Sequence, residues 1–354
     1  MPANITVTGD KAEMMYVGKK PWHGLGTELL EVATAAEAIA AAGLDWEVNM
    51  EPVFAVTPEH RELRQEYQEQ NKGLTDAQKV AHLTRLVNSI EEIPNKRAAV
   101  RSEPRRHFGI FSQQYKPLQN ADAFSFFDQV VGAGEAIYTT AGSLGGGARV
   151  WILAKLPGDL KLSNSEVLQK YILLCNSHDG SLAVTMKPTA IRVVCENTMS
   201  IALNGDTAKI FRAIHTTNVM QRVNQAREAL GLQEAYFELM MRGIERLADT
   251  RMKESEVEPF LVKLFGQEEN PENISTKMKN NMDQVSSLFY GGTATFGETR
   301  WDMLNAVTEY TDHWRGSNDE KRLDAAWFGS GKILKQQAWD MLEMEAPVQV
   351  AVGV

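Results

Sequence analysis

Basic side chains on and beside predicted strands are the clearest set of residues able to do chemistry in this sequence. Arginine and lysine neutralise phosphate groups, so a row of such residues can follow a nucleic-acid backbone. The set comprises Arg149, Lys155, Lys187, Arg192, Lys209, Arg212 and His215. Tyr138 and Trp151 offer rings on which bases can stack. Taken singly, each cation is also typical of a solvated strand end or helix end, so both interpretations stay open.

A second set, Cys175, Cys195, His178 and His215, could supply a thiol nucleophile with a general base. Nucleophilic cysteines are exposed and electropositive, whereas both cysteines here lie in apolar runs that predict strands. The seven histidines have neither His-x3-His nor Glu-x-x-His spacing, so we predict no metal site. We also predict no catalytic residue and no cofactor. An enzyme or anti-defence protein that acts on a small ligand through Cys195, His178 and His215 remains the alternative.

These residues are positioned by an antiparallel β core, which we predict over 98–204. Residues 136–144 and 148–156 flank Gly145, Gly146 and Gly147, and glycine reaches the positive φ angles of a hairpin turn. No Gly-Lys-Ser/Thr follows, and the next element is a strand. The glycines therefore indicate a hairpin rather than a phosphate loop.

A second hairpin is marked by Asp179 and Gly180, which follow His178 between the apolar runs 171–175 and 182–186. A further strand is predicted over 191–195. Either Asn197 or Thr198 can then cap a helix over 199–203.

The flanking regions have different characters. In 1–57, Thr34 and Glu37 form a capping box for a helix over 35–42, and alternating apolar residues then predict a strand. In 58–97, a weak stripe predicts a charged helical insertion on the surface. The stripe consists of Val80, Leu83, Leu86 and Ile90, and the insertion leads into a basic patch of Lys96, Arg97, Arg101, Arg105 and Arg106.

Helical patterns dominate the rest of the sequence. Asn120 is predicted to cap a helix within the β core. Residues 205–345 are mostly helical, with a capping box at Thr299 and Asp302, and 346–354 form a flexible tail. We therefore predict an α+β fold, in which an antiparallel β-hairpin sheet is followed by a helix and the C-terminal half is mostly helical.

Composition limits the class of protein. The 354 residues are 43% hydrophobic and 23% charged, which is typical of a globular protein. No secretory signal and no long apolar run is present, so we expect a cytoplasmic chain without a membrane partner. The net charge of −9 argues against indiscriminate nucleic-acid binding but allows a local basic surface.

Several short stretches together resemble the phage/plasmid-like proteins grouped as domain of unknown function 932. They are WHGLG (22–26), SQQYKPLQN (112–120), AGSL (141–144), NSHDGS (176–181), IRVVCENT (191–198), Arg212 with HT (215–216), NAVTEY (305–310) and AWFG (326–329). Within these stretches we single out His178, Asp179, Gly180, Cys195, Asn197 and Thr198 as family-motif residues. The resemblance implies a gene carried by phages, prophages or plasmids, but no assigned chemistry.

The predicted sheet and helix also resemble the core of single-strand annealing proteins such as Redβ, RecT and Erf. Those proteins form rings or filaments that hold single-stranded DNA in a basic groove by its backbone. The resemblance implies a DNA-binding or annealing protein that acts as a homo-oligomer on single-stranded DNA. A self-associating structural protein is a further alternative, with the C-terminal helices supplying the contacts.

Overall fold

A computed structural model describes most of the chain. It covers residues 5–18, 20–21, 24–30, 34–131, 137–162, 166–192, 198–199, 211–215, 218, 221, 233–265, 274–293, 295–315, 325–326 and 329–344.

Strands and helices are mixed up to residue 213, and from residue 233 onward the named elements are helical. The first part contains β1 (Val7–Thr8), β2 (Lys11–Ala12), β3 (Met14–Val17), β4 (Thr27–Leu29), α1 (Ala35–Ala42), β5 (Val48–Val56), α2 (Pro58–Gln70), α3 (Asp76–Asn88), β6 (Ile90–Arg101), β7 (Arg106–Ser112), α4 (Asn120–Val131), β8 (Ile137–Leu144), β9 (Arg149–Lys161), β10 (Val167–Ser177), β11 (Val184–Arg192), β12 (Thr198–Met199) and β13 (Phe211–Ala213). The second contains α5 (Gln233–Asp249), α6 (Glu254–Leu264), α7 (Thr276–Gly291), α8 (Arg300–Glu309), a π-helical turn (Tyr310–Trp314) and α9 (Ser330–Met344).

The central sheet has the strand order β12-β11-β10-β9-β8-β3-β4, and β13 also pairs with β11. Its pairings are antiparallel except for the parallel pair of β3 and β4. A separate antiparallel sheet contains β5, β6 and β7. The prediction of an α+β fold with antiparallel hairpins is confirmed.

Both faces of the central sheet are buried. On one face, Ile152 and Leu174 pack in a cluster with Ala38 of α1 and Phe124 of α4. On the other face, Trp151 and Leu173 pack in a second cluster, which includes Ala326. Successive side chains of a strand point to opposite faces of the sheet. Apolar residues at consecutive positions of β9 and β10 therefore agree with a sheet that is buried on both faces. A ligand can therefore approach the described sheet at its rims, not across an open face.

The C-terminal helices have a core of their own. Phe237, Met240, Ile244 and Leu247 of α5 are buried there, at the three- and four-residue spacing of one helix face, and every residue of α8 is buried. Leu168 and Ala190 of the central sheet belong to the same cluster, so the helices pack on the end of the sheet. Among the described residues, no helix has both the length and the apolar character needed to cross a membrane.

The charged segment after β5 is a helical hairpin shorter than predicted. Helices α2 and α3 span it, but from Ile90 onward the chain forms β6, because this strand pairs with β5 along its length. Thr57 donates from its hydroxyl to the Ser89 carbonyl at 2.8 Å, which closes the hairpin at its base. The predicted stripe is largely exposed, since Val80 and Leu83 keep 64% and 46% of their surface. We call residues 58–88, which contain α2 and α3, together with the adjoining ends of β5 and β6, the arm.

Three local predictions were wrong. Asn120 is the first residue of α4 rather than its cap, and its side-chain amide donates to the Leu44 carbonyl at 3.1 Å. Residues 191 and 192 end β11, which continues through Pro188 and does not form a separate strand. Thr198 lies in β12, paired with Ile191, instead of capping a helix. Cys195, Asn197 and 200–210 lie outside the described residues.

The prediction of a mostly helical C-terminal half holds only in part. Phe211–Ala213 form a strand that adds to β11, and the described helices begin at Gln233. Residues 219–230, part of the predicted helical region 205–345, lie almost entirely outside the described residues.

Candidate nucleic-acid interface at the hairpin turns

Two hairpin turns lie side by side at one rim of the central sheet. The turn 145–148 joins β8 to β9, and the segment 178–183 joins β10 to β11. Arg149 pairs with Ser177 across β9 and β10, so both turns leave the sheet at the same level. The His178 amide also donates to the Ala148 carbonyl at 2.8 Å, which fixes one turn to the other.

The glycine turn allows an arginine to approach closely. Gly146 and Gly147 have φ angles of 76° and 93°, and both amides donate to the Thr6 hydroxyl at 3.0 Å. A Cβ atom on Gly146 would overlap the guanidinium of Arg106, which comes from β7. Glycine is therefore required here both by backbone conformation and by the position of Arg106.

A buried ion pair connects this rim to the smaller sheet. Arg101 Nη2 donates to Glu13 at 2.5 Å, and the Ser143 hydroxyl donates to the other carboxylate oxygen at 2.5 Å. The Arg101 guanidinium also stacks over the Trp46 ring at 4.3 Å. Because Arg101 ends β6 and Ser143 lies in β8, the pair sets the two sheets relative to each other.

An open cavity of about 390 Å³ lies between the turns and β7. Arg106, His107 and Arg149 line it together with Asp179. Arg149 Nε donates to the Ser181 hydroxyl at 3.1 Å, and the Asp179 carboxylate accepts from the Ser181 amide at 2.9 Å. Arg106 is exposed and meets no carboxylate within ion-pair distance among the residues described. The cavity therefore offers cations to an anionic ligand.

A pair of aromatic rings flanks the second turn. The rings of Phe111 and Tyr115 stack with centroids 4.1 Å apart and planes 14° apart, and both are only half-buried. A Cβ atom on Gly180 would press against the Phe111 ring, so the stack lies directly over this turn. Burial, and then the charge of Asp179, raise the pKa of the Tyr115 hydroxyl. The ring pair is thus an uncharged surface beside the cationic cavity.

His178 lies beneath this surface and is completely buried. Its Nε2 lies 3.1 Å from Asn120 Oδ1, and its ring contacts those of Trp46 and Phe108. Since the Asn120 amide nitrogen already donates to Leu44, its oxygen accepts here and His178 Nε2 carries the proton. Burial, reinforced by the nearby His215, lowers the pKa of His178 to about 3. His178 is therefore a neutral ring in the interior, without contact to solvent.

The predicted basic row is not a continuous surface in the described structure. Arg149 lies in the cavity, whereas Lys155 is paired with Asp159 at 3.6 Å on β9. Lys187 is buried, and His215 is buried against the Tyr115 ring at 5.1 Å. Arg192 ends β11 and Arg212 lies in β13, but their side chains fall outside the description, as does all of Lys209.

The predicted basic patch around residues 96–106 is mostly neutralised. Arg97 pairs with Glu92, Arg101 with Glu13, and Arg105 with Glu51. Arg106 is the member that turns to the cavity. Sequence reasoning did not include Arg106, His107, Phe111 or Tyr115 in a site, although Tyr115 belongs to the stretch 112–120. Their convergence depends on the pairing of β6 with β7 and on the packing of that sheet against the turns.

The fold and the rim together define an α+β protein whose central sheet is covered on both faces and whose exposed cations and aromatic rings meet at two hairpin turns. The chain belongs to the family described as Domain of unknown function (DUF932), whose model matches residues 107–327, more than half of the chain. No curated protein and no solved structure matches it. Most of the residues of the rim lie within the matched region, whereas the arm and α1 lie outside it.

Proposed function

We propose that this chain binds single-stranded DNA and promotes its annealing, or protects it, for a phage or plasmid. The DNA lies on the turn edge, by which we mean Arg106, His107, Arg149, Phe111 and Tyr115. Cations that track phosphates, next to rings that stack on bases, are the combination by which proteins hold single strands. The observation that carries the proposal is that the second turn contacts both features: Asp179 lines the cavity, and Gly180 lies against the Phe111 ring of the stack.

The local charge supports an anionic ligand despite the acidic chain. Arg106 and Arg149 both line the cavity beside the glycine turn, and the exposed Lys116 directly follows Tyr115 of the ring pair in sequence. Asp179 offsets one of these charges, but its carboxylate is engaged in its own turn. A single strand that crosses the second turn therefore meets cations next to the rings.

The proposal includes self-association through the arm. Val80, Leu83 and Val87 follow one another at three- and four-residue spacing on the outer side of α3, and all three are exposed. This is the spacing of an apolar seam between two helices, with Val at one position and Leu at the other. A second copy of α3 supplies the matching seam. A Leu83→Glu change should then lower the mass measured by light scattering, whereas an unchanged mass would exclude this contact.

DNA binding is tested by fluorescence anisotropy with a labelled oligothymidine over a series of salt concentrations. Each phosphate contact to a single strand contributes about 0.7 to the slope of log affinity against log salt. The Arg106→Gln/Arg149→Gln variant should therefore weaken binding and flatten the slope by about 1.4. The matched control is Arg242→Gln/Arg251→Gln, which removes two exposed cations from the C-terminal region, one on α5 and one between α5 and α6.

The stacking part is tested separately with Tyr115→Leu, which keeps an apolar side chain beneath Phe111. Loss of one base stack weakens single-strand binding by about 1–3 kcal/mol without changing the salt slope. Equal affinity of all variants, or no binding by the folded wild-type chain at low salt, would refute the proposal.

A further inference from the structure

Lys187 is a buried lysine in the middle of the central sheet. It lies on β11 directly opposite Leu173 of β10, and only 5% of its surface is exposed. Residues that face each other across antiparallel strands share one side of the sheet. Lys187 therefore points to the side on which Leu173 and Cys175 pack with Ala326.

The ammonium of Lys187 has no counter-ion in the described part of the chain. It makes neither a hydrogen bond nor an ion pair there. Asp312 in the π-helical turn is bound to Lys335 Nζ at 2.7 Å. Cys175 is fully buried, and burial raises the pKa of its thiol to about 12, so it stays neutral. A buried, unpaired ammonium is costly, because its desolvation is not compensated.

The surroundings of Lys187 add positive charge instead of removing it. The charges of Lys332 and Lys335, both on α9, act on Lys187, and Lys332 also acts on Cys175. Lys332 lies in the first turn of α9, which begins at Ser330 and is 15 residues long. The first turn of a helix exposes amide groups with a positive partial charge. Ala326, which packs in the cluster on the Lys187 side of the sheet, lies against Gly331 of this turn, because a Cβ atom on Gly331 would come within 2.9 Å of the Ala326 Cα. Lys187 and the first turn of α9 therefore lie on the same side of the sheet.

We propose that Lys187, Lys332 and the first turn of α9 bind a phosphate group, either free or as the monoester of a small metabolite. The helix amides offer donors to the phosphate oxygens, and the two ammonium groups neutralise its charge. Lys335 is held back by Asp312 and positions the helix. The site lies on the covered side of the sheet, away from the turn edge, and is independent of DNA binding.

The group titrating in this site is Lys187, whose pKa burial lowers to about 8, with Lys332 and Lys335 adding to the effect. The ionisable groups whose charges act on Lys187 are Cys175 on β10 and Lys332 and Lys335 on α9, and Lys335 is itself bound to Asp312. Bound phosphate stabilises the protonated amine. Phosphate binding should therefore weaken as the pH rises above 8, even though phosphate keeps its own charge.

The experiment is thermal unfolding of the full chain at constant ionic strength, with chloride replaced stepwise by inorganic phosphate or by a nucleoside 5′-monophosphate. Wild type should show a saturable rise in Tm, as expected for a ligand that binds the folded state. Lys187→Met should lose this rise, and the exposed Lys161→Met should keep it. A rise with the monoester but not with free phosphate would identify the metabolite as the source.

A chemical measurement keeps the proposal testable if Lys187→Met does not fold. Pyridoxal 5′-phosphate condenses with a neutral amine to form an imine and water, and borohydride then reduces the imine to a stable secondary amine. Peptide mapping at pH 8 should find Lys187 labelled ahead of the exposed lysines, with protection by phosphate. Absence of a phosphate-dependent rise in wild-type Tm, or labelling of Lys187 that phosphate does not reduce, would overturn the proposal. Loss of phosphate binding with intact DNA binding would leave the DNA proposal unaffected.

Discussion

Arg101 and Lys187 are both buried cations next to the same sheet, but their surroundings are opposite. Arg101 is 2% exposed and is bound by Glu13, by the Glu103 carbonyl and by the face of Trp46. Lys187 is 5% exposed and meets other lysines. A buried charge that has all its partners fixes a structure, whereas one that lacks them is costly and is expected where a ligand completes the site.

The largest effect is expected when the paired cation is removed. Arg101→Met leaves the Glu13 carboxylate buried without its counter-ion, which should lower the free energy of unfolding by about 3–5 kcal/mol. Denaturant unfolding measures this loss. The Glu13→Gln/Arg101→Met double variant should recover much of it, because the amide oxygen can accept from one of the two hydroxyls that now bind Glu13, those of Ser143 and Thr8, and the amide nitrogen can donate to the other. A double variant no more stable than the single one would show that the charge pairing is not the cause.

Removing Lys187, the unpaired cation, should raise the free energy of unfolding instead of lowering it. Since the pKa of Lys187 is lowered from 10.5 to about 8, the unfolded chain binds more protons between these two values. Lysine 187 therefore destabilises the fold below pH 8, and this penalty disappears as the pH rises to 10.5. Lys187→Met should be more stable than wild type by about 3 kcal/mol at pH 7. The difference should close near pH 10.5, and a constant difference would contradict the low pKa.

His178 is buried and neutral in the folded protein. Acid should therefore destabilise the fold, because protonation of this histidine is easier in the unfolded chain. Its pKa falls from 6.5 to about 3, and the unfolded chain again binds more protons in that window. Stability should fall as the pH drops below 6.5, by up to about 1.4 kcal/mol per pH unit. His178→Gln should remove this part of the slope, while His215, whose pKa burial also lowers, leaves a remainder. Parallel acid titrations of both proteins, followed by circular dichroism, measure the difference.

The smallest effect on stability belongs to the exposed cation of the turn edge. Arg106→Gln should change the free energy of unfolding by less than about 0.5 kcal/mol, because the side chain is solvated and has no carboxylate partner in the described structure. The same variant should still weaken DNA binding. Gly146→Ala offers a second way to displace Arg106, and a loss of affinity in both variants would locate the effect at this guanidinium.

Elements that depend on neighbouring residues were predicted well. The Thr34 capping box, the Asp-Gly hairpin and the glycine turn are local signals, and the structure contains all three. The prediction for Asn120 was wrong because the same side chain can cap a helix or bind a distant carbonyl. In the structure its amide donates to the carbonyl of Leu44, 76 residues away. Signals of local chemistry cannot decide between such partners.

The site was harder to predict than the fold because cations were counted without their partners. Arg101 was counted with the basic patch after the insertion, yet it is buried in an ion pair with Glu13, 88 residues earlier. Lys187 was placed on a DNA-binding row, yet helices that follow more than 130 residues later cover its face. Burial of both faces follows from the order of the strands and the return of the C-terminal helices. Neither is visible in the alternation within one strand.

The closure of the arm at its base has a consequence for how the chain can change. Residues 58–88 leave the sheet after Val56 and return at Ile90, and these two residues are partners in the ladder of β5 and β6. The segment behaves as a cassette, because the register of the strands does not depend on what is placed between them. Loop-closure entropy rises only slowly with length, so cassettes of very different size can occupy this position. The outer surface of α3 can thus be exchanged for another, while the turn edge and the surroundings of Lys187 keep their geometry.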